Sequence, residues 1–251
     1  MTRETSAYDD IADDLASYAG DGGGDLQRYI IVPAMLEVVG SVDGKNILDL
    51  YCGAGYLSRR LASLGGKVTS VDPSERLIGI GREVNIREKQ QIDYSVAEPT
   101  DLSVVEDSTF DDIVCNMGLM STRDLAGTVA ELARLVQLGG RFIFSVIHPC
   151  FCMPDACWVR SEDGTIMYKS VDNYYREGWW LSGATGVGRD KAKTKHRTLS
   201  RYVNALGARG FNVRRIVEPK PSPEILAIKP ELEVYERLPV AMIVEAVFPY
   251  V

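Results

Sequence analysis

Residues 46–65 read NILDLYCGAGYLSRRLASLG, an apolar run that ends in a glycine turn and opens into an amphipathic helical pattern. Strand, glycines and helix in that order build a nucleotide crevice at the carboxyl end of a sheet's first strand. Gly53 and Gly55 carry no Cβ, so a ligand can approach the backbone closely. An acid, Asp49, stands four places ahead of Gly53, and Ser58 takes the place of the third glycine in G-x-G-x-x-G. A dinucleotide's pyrophosphate sits on the helix N-terminus and seeks positive potential. Asp49 would repel it, which disfavours an NAD(P)-dependent oxidoreductase.

Outward from this stretch, short apolar runs alternate with helical patterns. Strands are predicted at 46–51, 67–72, 92–97, 111–117 and 141–147, then at 211–218 and 240–248. The spacing predicts a helix over 125–138 that Gly139-Gly140 stops, and another, HRTLSRYVNALGARG, that Gly210 stops. Repeated βαβ units with right-handed crossovers give a doubly wound, mostly parallel sheet of seven strands with helices on both faces. The expected organisation is an amino-terminal helical cover (1–40), a core (41–148), an aromatic-rich substrate insert after strand 5 (149–195) that joins the helix in covering the crevice, and a carboxyl-terminal part of the same sheet (196–251). The insert breaks the alternation and holds Trp158, Trp179 and Trp180 with Tyr168, Tyr174 and Tyr175. Long irregular segments of this kind are usually functional.

The 251 residues suffice for one substantial core, and the net charge of −7 lacks the basic footprint of a nucleic-acid binder. No apolar stretch reaches membrane-spanning length and the amino terminus has no apolar signal-like region, so a cytoplasmic protein is expected. Five cysteines at 52, 115, 150, 152 and 157 form no disulfide framework. The cluster His148, Cys150, Cys152 and Cys157 matches no standard zinc spacing, and no metal site is expected.

Five segments together carry a resemblance: LDLYCGAGYLSRRLA, VTSVDPS, SVAEPTDLS, FDDIVCNMGLM and ELARLVQLGGRFIFSVIHP. In this order and spacing they resemble class I methyltransferases that use S-adenosylmethionine (SAM), over roughly residues 40 to 150. Residues 196–218 also resemble the small-molecule branch of that family, and residues 150–195 match only loosely. SAM carries a sulfonium and an ammonium but no phosphate, so an anion beside the glycine turn becomes useful. The resemblance implies that Asp49 serves the methionine end, partly through backbone or water, and that Gly53 and Gly55 admit the ligand. Asp72, 17 residues after Gly55, would accept hydrogen bonds from the ribose hydroxyls, the chemistry of an acid at a dinucleotide ribose. Ala97 and Glu98 would meet the adenine, and Asn116 and Met117 would cover the methionine. A helix at the amino terminus closes over SAM in related enzymes, and one of its tyrosines touches donor or acceptor. Tyr8 is placed at the donor on this ground and Tyr18 at the reacting centre, with Ile11 and Leu15 as the helix's inward apolar pair.

Methyl transfer from a sulfonium is an in-line displacement in which alignment and exclusion of water do most of the work. A base is needed only if the acceptor must lose a proton. His148, directly after the fifth strand at the crevice mouth, and His196, read as opening the helix HRTLSRY, are the two histidine candidates. The basic run Arg189, Lys191, Lys193, Lys195 and Arg197 would attract an anionic or hydroxylated substrate. The expected function is methyl transfer to nitrogen or oxygen of a small organic acceptor, in antibiotic or other secondary-metabolite biosynthesis. Transfer to carbon and a non-catalytic SAM-binding regulator stay open, as does a homo-oligomer. No nucleic-acid or membrane partner is expected.

Overall fold

The structure, a computed structural model, describes residue 9 and residues 12–19, 23–107, 109–181 and 193–249. Helix α1 (Ala12–Ala19) is followed by a π-helical turn (Gln27–Ile31) that runs into α2 (Val32–Val39). The regular alternation then begins: β1 (Asn46–Leu50), α3 (Tyr56–Ser63), β2 (Lys67–Asp72), α4 (Glu75–Arg87), β3 (Ile92–Val96), β4 (Phe110–Asn116), a 3-10 turn (Leu119–Ser121), α5 (Leu125–Leu135) and β5 (Val136–Ile147). Two antiparallel strand pairs lie in the insert, β6 (Ala156–Arg160) with β7 (Ile166–Val171), and β8 (Gly178–Leu181) with β9 (Lys193–His196). Then come α6 (Leu199–Gly207), β10 (Asn212–Val217), α7 (Pro223–Ile228), a short α8 (Val234–Arg237) and β11 (Ala241–Val247).

The seven predicted strands form one sheet in the order β10-β11-β5-β4-β1-β2-β3, and β11 alone runs antiparallel to its neighbours. This is the doubly wound, mostly parallel sheet that the alternation predicts. The chain winds outward from β1 to β3 and then returns to place β4 on the other side of β1. The order therefore reverses between β1 and β4, and a crevice opens at their carboxyl ends. Strand β1 has all but its first residue buried, as expected for a central parallel strand covered on both faces. One face packs with α5 and α6 around Phe142, Phe144, Leu132 and Tyr202, and the other with α2, α3 and α4 around Met35, Leu61, Ile78 and Ile143. Side-chain caps fix the helix starts: Ser74 accepts from Leu77 N–H before α4, Asp124 from Gly127 N–H before α5, and Thr198 from Arg201 N–H before α6.

Two boundaries differ from expectation. The helix predicted over 125–138 ends at Leu135, and Val136 to Gly140 already belong to β5. Val136 turns extended (φ −75°, ψ 138°) and pairs with Phe110 of β4. The glycines do not stop the helix. Gly139 has φ +78° and Gly140 passes so close to the chain that an added Cβ would lie 2.9 Å from the Asp111 carbonyl oxygen. His196 does not open a helix either: it ends β9, paired with Gly178, and α6 begins after its cap Thr198.

Candidate functional site

A cavity of about 270 Å³ lies at the carboxyl ends of β1, β2 and β4, roofed by α1 and the π-helical turn. Tyr51 to Ala54 after β1, Asp72 at the end of β2, and Asn116 at the end of β4 with Met117 and Gly118 after it form its floor. Leu77, Ile80 and Val84 of α4 make an apolar side wall, and Leu15, Ala16 and Gln27 close it from above. Tyr51 (φ +56°) and Met117 (φ +56°) hold left-handed backbone that non-glycine residues seldom adopt. Such geometry persists only where surrounding packing over-determines it. Here an added Cβ on Gly118 would come within 2.2 Å of Tyr51 Cβ.

The two glycines of the turn do different things. Gly53 (φ +57°) has nothing within 4 Å of the position of an added Cβ, so its open side is a cradle for a ligand. Gly55 (φ +78°) is absent from the cavity wall, and a Cβ there would sit 2.0 Å from the Tyr94 hydroxyl. Gly55 admits Tyr94, a neighbour within the fold, where the resemblance implied the ligand itself.

Asp72 is buried, and its two carboxylate oxygens accept from Gly53 N–H at 2.9 Å and Ser74 N–H at 2.8 Å. Each oxygen keeps a second lone pair for a ligand hydroxyl. Burial pushes the carboxyl up to about 6, against the opposing pull of those two N–H bonds, with Asp9 and Glu98 adding repulsion. Asp49 lies behind the floor, 1 % exposed, and takes a 2.6 Å hydrogen bond from the Ser58 hydroxyl. Burial lifts it to about 7 in spite of that bond. Ser58, where a dinucleotide motif has glycine, is thus the partner that this acid needs. Asp49 is not part of the cavity wall.

Other predicted residues fall at varied distances from this cavity. Asn116 and Met117 line it; Ala97 is buried beside Asp72, its N–H bonded to the Asp72 carbonyl at 3.3 Å, and Glu98 is exposed. Tyr8 and Ile11 lie outside the described residues, as does the Tyr18 side chain, whose backbone closes α1. His148 is buried between Glu218 (Nε2 to Oε1, 2.7 Å) and Cys150, whose N–H donates to Nδ1 at 3.2 Å. Burial lowers its pKa in spite of Glu218, and both ring nitrogens are committed. His196 lines a separate cavity of about 10 Å³ with Met120, Ile147, Trp180 and Arg197. Its Nε2 donates to the Tyr174 carbonyl at 2.8 Å, and Nδ1 has no hydrogen-bond partner among the described residues. Of the basic run, Arg189 and Lys191 lie outside the described residues, whereas Arg197 is buried and donates to the Leu119 and Thr122 carbonyls.

Sequence reasoning passed over Gln27, Tyr51, Cys52, Arg59 and the α4 row of Leu77, Ile80 and Val84. The row was available as an i, i+3, i+7 apolar spacing. Arg59 is tied to the Ala54 carbonyl at 2.6 Å and to Glu88 at 3.6 Å.

Residues 48–144 match the family model of a methyltransferase domain. A SAM-dependent methyltransferase from Mesorhizobium loti aligns with a TM-score of 0.73 and 26% identity, over 86% of this chain and 96% of that one. With the fold and crevice above, these matches make this part of the chain a class I SAM-dependent methyltransferase domain. Among curated relatives, a ubiquinone biosynthesis O-methyltransferase of Aromatoleum aromaticum is 37% identical over 108 residues, 43% of this chain and 46% of its own length. One from Xanthomonas oryzae pv. oryzae is 31% identical over 48% of this chain and 49% of its own. The chain thus matches about half the length of these relatives. Among the described residues no helix is long and apolar enough to cross a membrane.

Proposed function

We propose that the chain transfers a methyl group from SAM to an oxygen or nitrogen atom of a small organic acceptor. The observation that carries this is the joining, at the β1/β4 switch point, of the open Gly53 cradle and the Asp72 carboxylate in one cavity. Asp72 would hold the ribose, the α4 row Leu77, Ile80 and Val84 would face the adenine, and Asn116 and Met117 would bound the methionine portion. Bound there, SAM supplies a methyl group that is already activated for displacement. The chain's part is to align the acceptor and keep water out.

Oxygen is the first choice of acceptor atom, because the curated relatives are named as O-methyltransferases. Their similarity covers less than half of this chain. The acceptor is therefore assigned to the insert's own chemistry, and the antibiotic or secondary-metabolite setting rests on its aromatic content alone. Of the two histidines, His196 is the better candidate base. Its Nδ1 has no partner among the described residues, whereas both nitrogens of His148 are held. Tyr18 stays a candidate on the resemblance.

Incubation with SAM and a panel of catechols, phenols and amines tests the reading, with mass detection of methylated product and S-adenosylhomocysteine. Methylation of a phenolic or amine oxygen or nitrogen, with loss of turnover in His196→Ala, is the expected result. Binding of NADH in preference to SAM would sink it.

A further inference from the structure

The Gln27 amide is oriented by a chain of hydrogen bonds that begins in the core. Met117 N–H donates to Ser145 Oγ at 2.9 Å. Ser145 is fully buried, so its own proton must also find an acceptor, and Asn116 Oδ1 takes it at 2.7 Å. With its oxygen thus engaged, Asn116 turns Nδ2 outward and donates to Gln27 Oε1 at 3.0 Å. The relay leaves Gln27 with Nε2 on its free side, and those N–H groups have no partner among the described residues. Gln27 lines the donor cavity.

The local backbone is built around this side chain. Gln27 opens the π-helical turn, in which the Val32 N–H bonds back to the Gln27 carbonyl, and π-turns are frequent at functional sites. Gly23 (φ +70°) runs over it so closely that a Cβ would lie 2.8 Å from Gln27 Cβ. The chain therefore fixes both the position of Gln27 and the polarity of its amide.

We infer that Gln27 is the residue that recognises the α-carboxylate of the donor's methionine portion, through its outward N–H groups. This rests on the donor reading above. A fixed pair of N–H donors can serve only a hydrogen-bond acceptor, and the carboxylate is the one anionic group of SAM. Position agrees. Asp72, proposed for the ribose, ends β2, and Asn116, which holds Gln27, ends β4, with β1 between them. Two strand spacings put these ends about 10 Å apart, so a ligand anchored by its ribose at β2 extends its tail across β1 toward Gln27. Among the described residues the one cationic side chain in the cavity wall is Arg59, which is already tied to Ala54 and Glu88. The carboxylate is recognised here by neutral donors instead of an ion pair.

Calorimetry with two ligands tests this: S-adenosylhomocysteine, which has the amino-acid tail, and 5′-methylthioadenosine, which lacks it. Gln27→Leu should weaken the first by about tenfold, as for loss of a charge-assisted hydrogen bond, and leave the second unchanged. Gln27→Glu should weaken the first further, by like-charge repulsion. Ser145→Ala, which touches no ligand, should weaken the first by a smaller factor by releasing Asn116 and hence the amide. Melting curves confirm that each variant is folded. Equal losses for both ligands, or none for either, in Gln27→Leu would overturn the assignment alone. Failure of the unmutated chain to bind either ligand would overturn the donor reading and the assignment together.

Discussion

Asp49 and Asp72 are two buried carboxyls lifted by the same cause, and they differ in what faces them. Asp49 faces only Ser58 and the interior. With a folded pKa of about 7 against an ordinary 3.8, the folded chain keeps a proton that the unfolded chain loses between about pH 4 and 7. The folded state then binds more protons, so this group's contribution to stability falls as pH rises through that window and stays low above it. Asp49→Asn retains an oxygen for the Ser58 hydroxyl and cannot ionise. It should raise stability at pH 8 on the order of 2–4 kcal/mol and change it little at pH 4, measured by urea unfolding. An equal change at both pH values would mean that titration is not the cause. Asp72 instead opens on the cavity, with a folded pKa of about 6. Ribose hydroxyls donate more strongly to the carboxylate than to the protonated acid, which keeps fewer and weaker acceptor sites. Affinity for S-adenosylhomocysteine should therefore rise from pH 5 to pH 7, by at most about tenfold per unit below the pKa. Asp72→Asn should bind weakly across that range without the slope.

At the scale of the turn between β1 and α3, two glycines two residues apart, Gly53 and Gly55, were read alike from sequence, since both look like ligand contacts. Their difference lies in what stands opposite. Gly53→Ala meets open space, so it should cost about 1 kcal/mol for its positive φ while cutting donor affinity sharply. Gly55→Ala meets Tyr94 as well as a positive φ, and should cost about 2–4 kcal/mol of stability. In a Tyr94→Phe background that loss should shrink without vanishing, because a ring carbon still lies 2.8 Å from the Cβ position. Additive losses in a double-mutant cycle would refute the contact. The strands were legible because central parallel strands are near-continuous apolar runs. The end of α5 was not, because Val136 keeps the apolar register as the backbone passes from helix to strand. Gln27 left no local mark at all, since its partner Asn116 is 89 residues away. His196 was misplaced for a related reason: its strand exists only through pairing with Gly178.

Across the whole molecule, the two segments that the sequence sets apart from the sheet end up in different places. The aromatic insert does not wall the donor cavity among the described residues. Trp158 is held between Lys169 (5.0 Å) and Arg237 (5.6 Å), and Trp180 lines the small cavity of His196. Helix α1 does wall the donor cavity, through Leu15 and Ala16. Eight residues cannot hold a helix in water by themselves. Its anchors are packing on α4, an exposed Asp13–Arg76 pair, and Asp9 on the Ser74 hydroxyl. The exposed pair is screened by water and contributes little, so packing on α4 carries most of the attachment, and α1 is expected to open for ligand exchange. The two main core clusters begin after it, at Ile31, and include none of its residues. Deleting residues 1–20 should therefore leave the melting temperature of the sheet nearly unchanged and weaken S-adenosylhomocysteine by about tenfold. The off-rate should rise more than the on-rate falls, because a lost cover mainly shortens residence. Stopped-flow measurement of both rates separates the outcomes. An unchanged off-rate in the truncated chain would mean that α1 packs on α4 without closing over the donor.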